Sequence, residues 1–148
     1  MEPRYSFKFF DNFFLPWSDI ALYFDCKKLN ASFEEAISRV TENLKTEGFG
    51  IISEIDLKEK FQEKLEVDFR NYTILGACNP SWALQALQKE DKIGVLLPCN
   101  IIVQEIEKGL VEVAAINPLA SLGSIGNTEI QAIADEIKIK LERVIDSL

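Results

Sequence analysis

The sequence predicts an α+β domain built as a two-layer sandwich, with a mostly antiparallel sheet and helices packed on one face. Two observations lead to this class. Segments with a single apolar stripe at helical spacing alternate with short apolar runs typical of strands. Two of these runs, residues 101–106 and 110–116, are separated only by the turn Glu107-Lys108-Gly109, which is a hairpin signal. A helix with one apolar stripe buries that stripe against another layer, here the sheet. The pattern therefore predicts one layer of helices and one sheet.

The first elements are a strand, a helix and a second strand. Residues 20–26 are expected to form the opening strand. Ser32 and Glu35 form a capping box, in which each side chain satisfies a free backbone amide at the start of a helix. Gly48 ends that helix because glycine adopts the left-handed conformation without penalty. Residues 49–55 then favour a strand.

The middle of the chain repeats this alternation. Asp56 caps a short helix that ends near Leu65. Residues 72–78 are apolar enough for a buried strand. Asn79-Pro80 follows as a cap with proline at the first helical position, where its missing amide does no harm. The helix it begins is expected to end near Lys89.

Two expectations concern the segments on either side of the hairpin. Residues 93–97 form an apolar run that is typical of a buried strand and is interrupted by Pro98. Residues 118–126, with two glycines, are expected to form a loop. Asn127 caps the last helix, whose apolar residues recur on one face.

The chain divides into an aromatic arm, residues 1–17, and one domain, residues 18–148. Nine of the fifteen aromatic residues fall within the first 24 positions. Large rings gain roughly 2–3 kcal/mol each when buried, so the arm needs a surface to cover. That surface is either the arm's own domain or a second subunit.

Composition excludes several classes of partner. Sixteen basic residues against twenty-four acidic ones leave a formal charge of −8, which argues against nucleic acid. The apolar runs are far shorter than the roughly 20 residues that cross a bilayer, so no membrane partner is expected. Lys8 and Asp11 interrupt the apolar stretch near the start, so no signal peptide is predicted. We expect a cytoplasmic protein with reduced cysteines and no cofactor.

The chain contains no histidine. This absence excludes Ser-His-Asp and Cys-His catalysis and every mixed Cys/His zinc site. A general base would have to be a carboxylate, a lysine, a tyrosine or a thiolate. Catalysis therefore has few candidate residues.

Two cysteines occupy related local settings. Cys78 ends a predicted strand just before the cap Asn79-Pro80, and Cys99 follows Pro98 and precedes Asn100. A thiol at a helix start meets unpaired amides and the positive end of the helix dipole, which favour thiolate. Free cysteine is also among the most buried residue types, so simple packing is the competing interpretation, and it is the one favoured for Cys26.

Two functional hypotheses follow from these six residues, Cys78 to Pro80 and Pro98 to Asn100. The first is a homodimeric binding or interaction module with a pocket for a small molecule near Cys78 and Cys99. The second is a thiol-dependent protein in which the two sulfurs form a redox disulfide, handle sulfur or an acyl group, or bind a soft metal. The sequence names no particular metal and no particular ligand.

Five sequence blocks carry a family resemblance. They are Ser32-Phe33-Glu34-Glu35-Ala36, Glu47-Gly48-Phe49-Gly50, Glu54-Ile55-Asp56, residues 72–80 and Leu96-Leu97-Pro98-Cys99-Asn100. In this order they resemble the domain-of-unknown-function family 302 from about Ile20 to the end of the chain. The resemblance implies a small α/β protein that forms a dimer, and it implies no particular activity.

Overall fold

Side-chain caps mark the starts of the α-helices in the computed structural model, which describes residues 23–148. The arm, residues 1–17, and the start of the predicted first strand lie outside the described residues. The strands are β1 (Phe24–Asn30), β2 (Gly50–Asp56), β3 (Tyr72–Cys78), β4 (Cys99–Glu107) and β5 (Leu110–Ile116). The helices are α1 (Phe33–Thr46), α2 (Leu57–Leu65), α3 (Pro80–Lys89), α4 (Pro118–Leu122) and α5 (Thr128–Asp146), with 3₁₀ turns at Asp91–Leu96 and Gly123–Ile125.

The predicted helix N-caps at Ser32, Asp56 and Asn127 are confirmed, each through its own side-chain oxygen. The Ser32 hydroxyl accepts a hydrogen bond from the amide of Glu35 at 3.1 Å. Asp56 does the same for Glu59 at 3.0 Å, and the Asn127 side chain accepts two amides at the start of α5. Each cap satisfies a backbone donor that the helix itself leaves free.

The strands form one antiparallel sheet in the order β1-β5-β4-β3-β2, which confirms the predicted fold class. Helices α1 and α5 pack against one face. Side chains from both helices and from the sheet meet in one apolar core, in which the largest fully buried members include Leu44, Leu75, Ile101, Ile130 and Leu141. None of the described helices has the length and apolar content needed to span a bilayer.

The first strand lies later in the chain than predicted. It covers Phe24–Asn30, whereas the prediction placed it at residues 20–26. The observed strand includes two lysines, Lys27 and Lys28. At the sheet edge, however, the Lys27 ammonium reaches the C-terminal end of α5 and donates to the backbone oxygens of Asp146 and Leu148. The lysine is therefore compatible with a strand because its long side chain carries the charge to a partner.

Two other predictions were wrong. Residues 93–97 do not form a buried strand: Asp91–Leu96 is a 3₁₀ turn in which Ile93 is buried while Val95 is 84% exposed. The Glu90 side chain caps this turn by accepting the amide of Lys92. Residues 118–126 are not a loop, since Asn117 caps the short helix α4 by accepting the amide of Leu119. In both cases a local side-chain cap organises a turn that hydrophobic pattern alone did not indicate.

Candidate ligand-binding site on the open face of the sheet

The face of the sheet opposite α1 and α5 carries a row of polar residues. In the strand register Lys28 lies opposite Glu112, Glu112 opposite Gln104, and Gln104 opposite Tyr72. Residues paired in this way project to the same face, so the row crosses four adjacent strands. We call this side of the sheet the open face.

Glu112 is the central residue of the row. It is only 4% exposed, although its neighbours in β5 are valine. Its Oε1 accepts a hydrogen bond from Gln104 Nε2 at 2.9 Å, and its Oε2 is buried with no hydrogen-bond partner among the described residues. A buried carboxylate oxygen without a donor is costly, so its presence needs an explanation.

Gln104 is held from its other side by Arg70. The Arg70 Nε donates to Gln104 Oε1 at 2.9 Å, which leaves the amide nitrogen of Gln104 to donate to Glu112. The guanidinium carbon of Arg70 lies 4.4 Å from the ring centroid of Phe69 and 5.7 Å from that of Tyr72. These cation–π contacts fix the arginine and, through it, the orientation of the glutamine.

Tyr72 contributes a neutral phenol to the same region. Burial raises its pKa above the ordinary value, Arg70 opposes this shift, and the nearby Glu112 carboxylate adds to it. The hydroxyl therefore stays protonated at neutral pH and is able to donate or accept one hydrogen bond.

A pocket of about 330 Å³ opens beside this row. Glu112, Gln104, Asn100 and Tyr72 supply its polar groups. Its apolar walls are Tyr23, Phe24, Ile102, Ala114 and Ile116. The size lies at the lower end of the range for small-molecule sites, and the mixture of aromatic walls with a few polar groups is typical of such sites.

The six residues singled out by sequence lie at one end of β3 and β4. Asn100 lines the pocket, and the other five are not among its lining residues. In the register Ala77 lies opposite Cys99, one position before Cys78. Because successive side chains in a strand alternate between faces, Cys99 takes the helix-covered face and Cys78 the open face. The binding role of these residues stays a prediction.

The Cys99 side chain is partly buried and packs against the apolar core. Burial raises its pKa to about 11, and the nearby Cys78 contributes in the same direction. Cys99 is therefore a neutral thiol at physiological pH. Within residues 23–148, no cluster of three or more histidine, cysteine or acidic side chains is arranged to hold a metal ion.

Asn79 and Pro98 have evident structural roles. The Asn79 side-chain oxygen accepts a hydrogen bond from the backbone amide of Trp82 at 3.4 Å and so caps α3. The Asn79 side-chain nitrogen donates a hydrogen bond to the backbone oxygen of Glu47 at 3.5 Å. Pro98 packs closely over Gly76, where a β-carbon would lie 2.7 Å from the proline Cγ. The sequence block around Cys78 and Cys99 thus secures the junction of β3, α3 and β4.

Apart from Asn100, the pocket residues were not predicted from the sequence, although one signal was present. Glu112 is a charged residue inside the otherwise apolar strand Leu110–Ile116. Strict alternation places it on the face opposite Val111 and Val113, away from the helices. Its link to Gln104 and Arg70 depends on strand register, which a single sequence does not specify.

The fold and the pocket define an α+β domain with α1 and α5 on one face of its sheet and a pocket on the other. The chain belongs to the family described as Domain of unknown function DUF302, which matches residues 26–148. This confirms the resemblance seen in the sequence blocks. Among curated proteins, none matches the chain.

One solved structure is similar over most of both chains. It is the crystal structure of an uncharacterized conserved protein DUF302 from Bacillus stearothermophilus, with 31% sequence identity and a TM-score of 0.78. The match covers 85% of this chain and 98% of the other. The similarity supports the fold and the family and carries no activity with it.

Proposed function

We propose that the protein is a binding module that holds a small organic ligand in the pocket on the open face of the sheet. The observation that carries the proposal is the cavity of about 330 Å³, in which aromatic walls meet a small set of convergent polar groups. Sites with this composition gain affinity from the apolar walls and specificity from the polar groups.

The position of the pocket supports the same function. Its polar residues come from three adjacent strands, β3, β4 and β5, rather than from loops. Side chains on strands are held by the hydrogen-bond ladder, and Gln104 is further fixed between Arg70 and Glu112. A preorganised site loses less conformational entropy when a ligand binds.

The test is nuclear magnetic resonance of the ¹⁵N-labelled full chain with small aromatic compounds of different charge. Saturable shifts centred on Gln104, Glu112 and Ala114 are the expected result. Ala114→Leu fills the pocket and should abolish them, whereas Ala120→Leu, at an exposed position in α4, should leave them intact. Shifts absent for every compound, or equal in both variants, would overturn the proposal.

The proposal includes a homodimer, and the edge strand β2 is the feature that favours it. β2 pairs only with β3 in the described sheet, and its Ile52 and Ile55 are 65% and 43% exposed. Free backbone donors and acceptors beside apolar side chains favour pairing with another strand. A twofold axis beside β2 would join two copies by the same edge.

A thiol-dependent function is the alternative. Cys78 is the better placed of the two thiols, because it directly precedes Asn79, the cap residue of α3. Cys99, with a pKa of about 11, would serve as a partner only after a change that exposes it. The alternative therefore requires that Cys78 reacts under conditions in which Cys99 does not. The alkylation rate of each thiol measures this directly.

A further inference from the structure

We infer that the ligand of this pocket is an organic cation with N–H donors, such as a primary ammonium or an amidinium group, bound through Oε2 of Glu112. The inference rests on the proposed function, since it names the class of ligand that the same pocket takes. Three features of the pocket point to it: a buried unpartnered oxygen, a fixed orientation and aromatic walls.

The first feature is the unpartnered oxygen. Glu112 is 4% exposed and lines the pocket, yet its Oε2 meets no donor among the described residues. An unsatisfied carboxylate oxygen is destabilising, and such groups persist where they serve a function. A ligand N–H would supply the missing hydrogen bond.

The second feature is the orientation of the carboxylate. Arg70 Nε donates a hydrogen bond to the side-chain carbonyl oxygen of Gln104, and the side-chain nitrogen of Gln104 donates one to Oε1 of Glu112. This chain of two hydrogen bonds, each 2.9 Å, uses one oxygen of the carboxylate and leaves the other for a ligand. Charge-assisted hydrogen bonds of a carboxylate are stronger than neutral ones, which favours a cationic donor.

The third feature is the surrounding charge and aromatic surface. Tyr72, Tyr23 and Phe24 line the same pocket as the carboxylate, and the faces of aromatic rings attract cations. The chain's net charge of −8 also raises the local concentration of cations. Two of the basic residues within 23–148 lie in or beside the row: Arg70 is engaged with Gln104 and Phe69, and Lys28 is an exposed residue of the edge strand.

A metal ion fits this site less well than an organic cation. Hard metals take several oxygen ligands from the protein, and no cluster of three or more acidic residues is found in the described part of the chain. One carboxylate oxygen beside aromatic rings matches a single ammonium or amidinium group with an apolar body.

The experiment compares three probes of similar shape: phenethylamine, 2-phenylethanol and 3-phenylpropanoate. Dissociation constants come from ¹⁵N shifts of the full chain at neutral pH. We expect phenethylamine to bind roughly tenfold or more tightly than the alcohol, and the carboxylate probe to bind most weakly. Glu112→Gln should remove this preference, while Glu107→Gln, an exposed position in the same hairpin, should keep it.

The outcomes separate this inference from the proposed function. If the three probes bind the pocket with equal affinity, or if Glu112→Gln keeps the preference for the amine, the cation inference fails and the pocket remains a binding site. If no probe binds, both fail. The backbone spectrum of Glu112→Gln verifies folding, and Gln104→Leu, which releases the carboxylate from its fixed orientation, should weaken amine binding independently.

Discussion

Gln104 Nε2 donates to Glu112 Oε1 at 2.9 Å, and this bond leaves the second carboxylate oxygen buried against the pocket. Among the described residues, only one of the two oxygens of this buried carboxylate therefore has a hydrogen-bond partner. Such an arrangement lowers stability and is expected where a ligand completes it.

The first prediction concerns the stability cost of that carboxylate. Glu112→Gln keeps an acceptor for Gln104 and removes the charge, so the free energy of unfolding in the absence of ligand should rise by about 1–2 kcal/mol. Urea denaturation at neutral pH measures it. Glu107→Gln, on the exposed end of β4, should change it by less than about 0.5 kcal/mol. A substantial loss of stability in Glu112→Gln would show that the carboxylate is structural.

A second prediction concerns the close packing of β2, β3 and Pro98. A β-carbon on Gly76 would lie 2.1 Å from Ser53 Oγ and 2.7 Å from Pro98 Cγ. Gly76→Ala should therefore destabilise the fold by about 1–3 kcal/mol. Gly50→Ala is the control, because a β-carbon there meets nothing within 4 Å. Equal melting temperatures for the two variants would contradict the packing described for this junction.

The third prediction concerns cysteine reactivity. With its pKa raised to about 11, Cys99 should resist iodoacetamide at pH 7.5 and 8.5 in the folded protein and react once urea unfolds it. Because the raised pKa favours the protonated thiol in the folded state, its contribution to stability is lost as pH rises between about 9 and 11. Peptide mapping assigns each site. Rapid labelling of Cys99 in the folded protein at pH 7.5 would contradict this prediction and would support a functional role for the thiol.

Local signals in the sequence predicted most of the fold, and long-range pairing explains what they did not. Ser32, Asp56 and Asn127 marked their helix starts because capping depends only on nearby backbone amides. The apolar run at residues 93–97 was misassigned because an apolar stretch does not reveal whether a strand will be available beside it.

The candidate site illustrates the same limit. Cys78 and Cys99 drew attention through their flanking residues, whereas register places them on opposite faces of the sheet. Arg70, Gln104 and Glu112 are up to 42 positions apart and share no motif, yet two hydrogen bonds connect them. Only the antiparallel register of β4 and β5 brings Gln104 beside Glu112.

The fourth prediction concerns self-association through the β2 edge. Light scattering should give about twice the mass of the 16.8 kDa chain. Ile52→Lys places a charge on the exposed edge and should shift the protein to monomer, because an edge lysine opposes strand pairing. Val95→Lys changes an even more exposed residue in the 3₁₀ turn and should leave the dimer intact. A monomeric wild-type chain would remove the homodimer from the proposal.

The fifth prediction concerns acid stability at the junction of α1 and α5. Glu47 accepts two hydrogen bonds from Arg143, at 2.8 and 2.9 Å, and lies 3.8 Å from the Lys140 ammonium. The hydrogen bonds from Arg143 are the main cause that lowers the pKa of Glu47 below its ordinary 4.5. A lowered pKa means that the ionised form stabilises the fold above pH 4.5, and that this contribution is lost as pH falls through the folded-state value.

Glu47→Gln should therefore decrease the melting temperature modestly at pH 7, because the Arg143 side chain is 55% exposed and water screens the pair. The difference from the wild-type chain should shrink as the solution is acidified below pH 4.5. Glu42→Gln removes the same charge from an exposed position of α1, where the carboxylate meets only Lys45 among the described residues, and should show a smaller effect at pH 7. Thermal melts across pH 3–7 measure both variants. A Glu47→Gln difference that persists unchanged at pH 3 would mean that the side chain stabilises the junction by packing rather than by charge.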